Sequence, residues 1–194
     1  MKVLVYLLSL GVAVYGVIAY AFLPLGSLVH PDMQNNFQAH AVGIYTHVFA
    51  SALALMIGPF QFSARIRARY QQLHRRLGQL YLGLGVLLGG IAGLYLSPHA
   101  FGGAVSEWGF GTLAVVWLYT GIRAYLAVRK GEIDQHRKWM IRNFSLTFAA
   151  VTLRLYLPFP MLLGADFVTI YPIIAWLCWV PNLLFAELKY NVIK

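Results

Sequence analysis

Charged side chains are scarce in this sequence. Of its 194 residues, 11% are charged and 60% are hydrophobic, and aspartate and glutamate together number 6. A soluble domain is typically about 25% charged and about 45–50% apolar, so a water-soluble globular fold is excluded. The apolar residues fall in runs of about 20, which is the length that an α-helix needs to cross the hydrocarbon core of a bilayer. The composition therefore favours an all-α membrane protein.

Cysteine is nearly absent as well. The single cysteine, Cys178, lies in an apolar run and has no second cysteine to pair with, so a disulfide framework is excluded. The sequence also lacks a phosphate-binding glycine loop, a serine–histidine–acid arrangement and a zinc-protease motif. Hydrolysis of the kind that soluble enzymes perform therefore has no support, and whether the chain is an enzyme of another class stays open.

The sequence instead contains long apolar runs. Six runs predict six transmembrane helices in a single transmembrane domain over residues 1–194, at about 3–25, 40–63, 76–98, 106–128, 139–163 and 167–188. Proline and glycine close several of the runs, as expected where a helix stops. The first run lacks the small-residue cleavage site of a signal peptide, so we expect it to be retained. The predicted fold is a polytopic helical bundle.

Lysine and arginine are unevenly distributed among the segments that connect these runs. Basic residues occupy two loops with their flanks and both termini: Lys2, Arg65, Arg67, Arg69, Arg75, Arg76, Arg123, Arg129, Lys130, Arg137, Lys138, Arg142, Lys189 and Lys194. The three alternate segments contain acids but no lysine or arginine. The positive-inside rule then predicts a bacterial inner-membrane protein with both termini on the cytoplasmic side. Orientation accounts for the net charge of +9, so the lipid bilayer is the expected partner and nucleic acid is not.

Two ionisable side chains lie inside predicted helices. His47 lies roughly 10 Å inside the second helix at about 1.5 Å per residue, and Arg154 lies at a similar depth from the same face in the fifth. An arginine there costs at least about 2.5 kcal/mol, so an anionic or strongly polar group must meet it. Glu107, Asp166 and the carboxylate of an external ligand are the alternatives. For His47, a hydrogen bond to a neighbouring helix and a place in a polar site are both open.

Matching segments begin the third and fifth predicted helices. His74-Arg75-Arg76 and His136-Arg137-Lys138 each place a histidine before two basic residues at the start of an apolar run. Two imidazoles that face each other across a bundle can supply both axial ligands of a haem, and nearby arginines can bind its propionates. The pattern makes His74 and His136 candidate ligands of a haem iron, with haem b as the cofactor.

Glycines recur every fourth residue along the third predicted helix, at Gly85, Gly89 and Gly93. They remove side chains from one face over nearly three turns. Such a stripe lets another helix approach closely, or it leaves room for a flat ring, and close packing is the commoner reason.

Several stretches resemble one family of small bacterial membrane proteins. The resemblance is carried by Gly58-Pro59-Phe60-Gln61-Phe62, by residues 74–81, 136–142 and 146–154, and by Trp179-Val180-Pro181-Asn182. This family is catalogued as domain of unknown function 2306, and the similarity covers about residues 40–190. It implies a helical membrane bundle and no particular activity. It also implies that His47, His74, His136 and Arg154 belong to the family pattern.

Three functions agree with these features. The first is a b-type haem-binding or quinone-interacting electron-transfer bundle, in which His74 and His136 are ligands and His47 and Arg154 form an outer polar site. The second is a transporter or small-molecule binding protein, in which Arg154 neutralises an anionic group. The third is a non-catalytic structural or assembly partner of other membrane subunits. The sequence decides neither the ligand nor the oligomeric state.

Overall fold

The computed structural model describes residues 2–162 and 164–191, and in those ranges every regular element is helical. Leu163, at the end of the fifth predicted helix, and Lys194, in the basic C-terminus, lie outside the described residues. The α-helices are α1 (Lys2–Phe22), α2 (Gln34–Ala39), α3 (Ala41–Gln61), α4 (Ala64–Arg69), α5 (Gln71–Leu80), α6 (Gly89–Leu96), α7 (Ala104–Arg129), α8 (Ile133–Thr147), α9 (Ala149–Tyr156), α10 (Phe159–Leu162), α11 (Phe167–Leu177) and α12 (Val180–Asn191).

Five helical segments among the described residues are long and apolar enough to cross a membrane. They are Val3–Phe22, Ala41–Gln61, Gln71–His99, Ala104–Arg129 and Phe167–Lys189. The all-α polytopic class is therefore confirmed. The fifth predicted helix is instead divided among α8, α9 and α10, so the count of six spans and their orientation stay predictions.

The division between α8 and α9 falls at Phe148, where no proline is present. Threonine side chains bond to the backbone on both sides of it. The Thr147 hydroxyl donates to the carbonyl of Asn143 at 3.0 Å, and the Thr152 hydroxyl donates to the carbonyl of Phe148 at 3.1 Å. Hydroxyls that bond four residues back compete with backbone amides and bend helices. The threonines thus explain an interruption that proline content does not signal.

The segment Gln71–His99 contains a π-helix at Tyr81–Leu88, between α5 and α6. A π-helix closes its hydrogen bonds over one more residue than an α-helix, and such segments often accompany functional sites. Within it, a Cβ added to Gly85 would lie 2.8 Å from the Cβ of Ala54 on α3. Close helix packing is therefore confirmed as the role of the glycine stripe at Gly85.

The chain divides into two compact units, the first ending at Ala92 and the second beginning at Gly93. In the first unit, α1 packs against α3, and the Tyr6 hydroxyl donates to the carbonyl of Pro59 at 2.8 Å. The Tyr6 ring also meets Phe60 edge to face, with centroids 5.4 Å apart. Whether the whole chain behaves as a single transmembrane domain stays a prediction.

In the second unit, buried polar side chains join α7 to α8. The fully buried Asn143 donates from Nδ2 to the carbonyl of Trp117 at 2.8 Å and to the Thr120 hydroxyl at 2.9 Å. The Trp117 indole N–H in turn donates to Thr147 Oγ1 at 2.9 Å. In an apolar environment an unsatisfied polar group is costly, so these bonds select one register between the two helices.

Candidate functional site

His136 lies in the first turn of α8 and is half-buried. Its Nδ1 is 2.8 Å from the carbonyl oxygen of Ala124 on α7. A carbonyl oxygen only accepts hydrogen bonds, so Nδ1 must carry the proton, and in the neutral ring Nε2 then carries the lone pair. The contact between α7 and α8 thereby sets both the orientation and the tautomer of this imidazole.

His47 has the same arrangement in the first unit. Its Nδ1 is 2.8 Å from the carbonyl oxygen of Gly89, the residue that follows the π-helix. The bond agrees with one of the two readings of His47, a hydrogen bond to a neighbouring helix, and a place in a polar site stays a prediction. The bond also sets Nδ1 as the donor, so that the neutral ring has its lone pair on Nε2.

Both imidazoles therefore show the arrangement typical of metal-ligating histidines. Such a histidine nearly always donates its second ring N–H to a carbonyl or carboxylate, which leaves the other nitrogen as the ligand. Among the described residues, no group of three or more histidines, cysteines or acids is placed to hold a metal ion.

His74 lies in the first turn of α5 and is half-buried. Because His47 bonds to Gly89, the helical path from His74 to Gly89 separates His47 from His74 by about 20 Å at roughly 1.5 Å per residue. His136 and Arg154 of the second unit are about 25 Å apart along α8 and α9 by the same rise. Neither pair shares one site, and the ligand roles of all four residues stay predictions.

Arg154 lies in α9 and is half-buried. Its Nη1 donates to the carbonyl of Ala150, one turn earlier, at 3.0 Å. Of the acids considered as its partners, Asp166 caps α11, where Oδ2 accepts from the amide and the hydroxyl of Thr169 at 3.0 and 2.8 Å. Whether Arg154 also meets Glu107, Asp166 or a ligand stays a prediction.

The second unit also contains an ion pair that sequence reasoning missed. Arg142 on α8 and Glu187 on α12 form a two-pronged pair, Nη2 to Oε2 at 2.8 Å and Nε to Oε1. Their side chains are only 18% and 33% exposed. In the sequence, Arg142 belongs to the basic residues that flank a predicted loop, and Glu187 is 45 residues away from it. The available signal was the position of Glu187 in an apolar run, where an acid requires a counter-charge.

Trp139 joins this ion pair to a second arginine. The guanidinium carbons of Arg142 and of Arg123 on α7 each lie 4.7 Å from the centre of the Trp139 ring. A cation at this distance from an indole face is attracted to it by about 0.5–2 kcal/mol, and by more when water is excluded. These two contacts of Trp139 join residues of different helices, and such pairing is not visible in the order of residues.

Comparisons with known proteins agree with the sequence resemblance. A family model described as "Predicted membrane protein (DUF2306)" matches residues 44–190. No curated protein and no solved structure matches the chain. The matched range includes His47, His74, His136 and Arg154, and the expected family is thereby confirmed. The chain is a membrane protein and belongs to the family of predicted membrane proteins DUF2306.

Proposed function

We propose that this membrane protein binds haem b, with His136 Nε2 as one axial ligand, and transfers electrons within the bilayer. The single observation that carries the proposal is the hydrogen bond from His136 Nδ1 to the carbonyl of Ala124, 2.8 Å long. It holds the ring against α7 and makes Nε2 the nitrogen with a lone pair.

The surroundings of His136 support this assignment. Arg137 and Lys138 follow directly and supply cations for two propionates. A bound haem would supply a reversible one-electron change at iron. The chain's own part is to orient the His136 ring through the bond to Ala124. A membrane-soluble quinone is the electron partner that helices within a bilayer would meet.

The proposed location is the bacterial inner membrane with both termini in the cytoplasm. The basic residues support it, because α4 alone contains Arg65, Arg67 and Arg69. Basic loops remain on the cytoplasmic side during insertion. This orientation places His136, which opens α8, on the cytoplasmic side.

Replacing His136 with alanine is expected to remove the haem. The full chain is expressed with haem supplementation and purified, and haem per protein is measured from the Soret band and by extraction. Wild type should show a Soret band, and His136→Ala should retain less haem by at least about tenfold, since loss of even a supporting group around a metal costs about 10–100-fold in affinity. The exposed His99 supplies the matched control, His99→Ala, which should retain the band.

His74→Ala and His47→Ala are measured in parallel, and their spectra show whether either variant also loses haem. A wild-type protein without a Soret band after supplementation contradicts the proposal. So does a His136→Ala variant with unchanged haem content.

Transport or binding of an anionic small molecule is the second candidate function, favoured by the interruption at Phe148. Discontinuous helices often line the substrate sites of transporters, and Arg154 follows the interruption within two turns. We expect carboxylate ligands found by thermal-shift screening of wild type to bind Arg154→Gln at least about tenfold more weakly, because a hydrogen bond to a charged group contributes about 1.5–3 kcal/mol. The exposed Arg129 gives the control Arg129→Gln. Equal binding by Arg154→Gln would exclude this function.

A further inference from the structure

Arg123 lies on a pair of aromatic rings near the C-terminal end of α7. Its guanidinium carbon is 4.7 Å from the ring centre of Trp139 and 5.7 Å from that of Tyr119. Its Nη1 donates to the Tyr119 hydroxyl at 2.8 Å. The two rings pack edge to face with centroids 5.7 Å apart. The guanidinium is therefore held in one place although Arg123 is exposed.

The charge on Arg123 is not balanced by the residues around it. Trp139 also contacts Arg142, but Glu187 neutralises that guanidinium. In the part of the chain that the structure describes, Arg123 contacts the uncharged side chains of Tyr119 and Trp139. One exposed positive charge thus remains on this cluster of Tyr119, Arg123 and Trp139, which we call the aromatic–arginine cluster.

The depth of the cluster matches the level of lipid phosphates. The helix α7 has 26 residues, about 39 Å at 1.5 Å per residue, against a hydrocarbon core of about 30 Å. If α7 is centred, the backbone of Arg123 lies about 5 Å inside the hydrocarbon boundary, and local thinning of the bilayer at a charged side chain brings lipid phosphates to this level. Tyrosine and tryptophan are typical of this level.

The face of α7 around Arg123 is apolar and exposed. Tyr119, Ile122 and Leu126 are 48%, 52% and 46% exposed, and their spacing of three and four residues places them beside Arg123. Acyl chains suit this face, whereas a small soluble anion would find only the guanidinium and one hydroxyl. A phospholipid offers both a phosphate for the guanidinium and acyl chains for the apolar face.

We propose that the aromatic–arginine cluster binds the phosphate group of a phospholipid in the leaflet at the C-terminal end of α7. The guanidinium N–H groups directed away from Tyr119 donate to two phosphate oxygens, the planar geometry that arginine favours. The Tyr119 hydroxyl accepts from Arg123 and so keeps its own proton for a third bond. The acyl chains then lie along Tyr119 and Ile122, toward the middle of the bilayer.

The test measures the binding of dioctanoyl phosphatidylglycerol to the purified full chain in detergent. The melting temperature is followed against lipid concentration in about 0.5 M NaCl, where the Debye length is only about 4 Å and long-range attraction is screened. Arg123→Gln should need at least about tenfold more lipid for the half-maximal shift, because two charge-assisted hydrogen bonds are lost. Arg123→Lys, which keeps the charge without the planar fork, should fall between wild type and Arg123→Gln.

The matched control is Arg129→Gln, an exposed arginine on the same helix, which should change the half-maximal concentration by less than about twofold under this screening. Inorganic phosphate at the same concentrations should not shift the melting temperature. Equal weakening of Arg123→Gln and Arg129→Gln overturns the proposal in favour of general basic attraction. A shift reproduced by inorganic phosphate, or a wild type that phosphatidylglycerol does not stabilise, also overturns it. If Arg123→Gln fails to fold, the lysine variant decides between these outcomes.

Discussion

Replacing Glu187 with alanine is expected to lower the free energy of unfolding by about 1–3 kcal/mol, between the values for exposed and for buried ion pairs, because this pair is partly buried. The loss arises because Arg142, only 18% exposed, would keep its charge without a carboxylate. The two residues lie on α8 and α12, so the same change should loosen the contact between these helices. Thermal or denaturant unfolding of the purified protein in detergent measures the effect.

A double variant separates the unpaired charge from the loss of the contact itself. Arg142→Met with Glu187→Met should recover most of the stability, because apolar residues of similar size often replace a buried pair without loss. The recovery should fall short by about 0.5–1 kcal/mol, since Arg142 also stacks on Trp139. As a control, Lys189→Ala on the same helix removes only a contact with Phe185 and should cost less than about 1 kcal/mol. Wild-type stability in Glu187→Ala, or no recovery in the double variant, would contradict this account.

Replacing Gly85 with alanine is expected to destabilise the first unit by about 1–3 kcal/mol, the usual cost of overfilling a packed contact. The added Cβ would lie 2.8 Å from Ala54 Cβ and 3.1 Å from Ala54 Cα. The backbone of Ala54 cannot move aside by rotating a side chain, so α3 and the π-helix must separate. Alanine has the higher helix propensity, by about 1 kcal/mol, and this gain reduces the loss without cancelling it. Unfolding of the purified protein measures the change.

Gly83 provides a control within the same π-helix. A Cβ added there meets nothing within 4 Å, so Gly83→Ala should leave stability unchanged or raise it by up to about 1 kcal/mol. Adding Ala54→Gly to Gly85→Ala removes the shortest contact and should restore part of the loss. If Gly83→Ala and Gly85→Ala change the stability equally, Gly85 is not needed for the close approach of the π-helix to α3.

One predicted helix agrees with the structure and another does not. The predicted bounds 106–128 lie close to those of α7, Ala104–Arg129, because about 20 apolar residues between polar ends suit one geometry in a bilayer. The predicted helix at 139–163 is instead interrupted at Phe148. There the hydroxyls of Thr147 and Thr152 bond to carbonyls of their own helix, and threonine at an apolar position signals a bend only weakly.

The candidate site shows the same division. His47, His74, His136 and Arg154 stand out in the sequence because ionisable groups are costly at or near the membrane. The sequence does not show which ring nitrogen of His136 carries the proton, because that depends on the carbonyl of Ala124 on another helix. The two pairings of Trp139 with arginine likewise depend on which faces of α7 and α8 meet.

By itself, the sequence determined that this chain is an all-α membrane protein of the DUF2306 family. The scarcity of charge indicates a membrane protein, and its long apolar runs form helices because a helix satisfies its backbone groups internally in a medium that offers no water. Tertiary structure alone decided that Glu187 neutralises Arg142, 45 residues earlier in the chain. Counter-charges and hydrogen-bond partners are chosen by which helices become neighbours, and burial then makes those pairings costly to leave unmade.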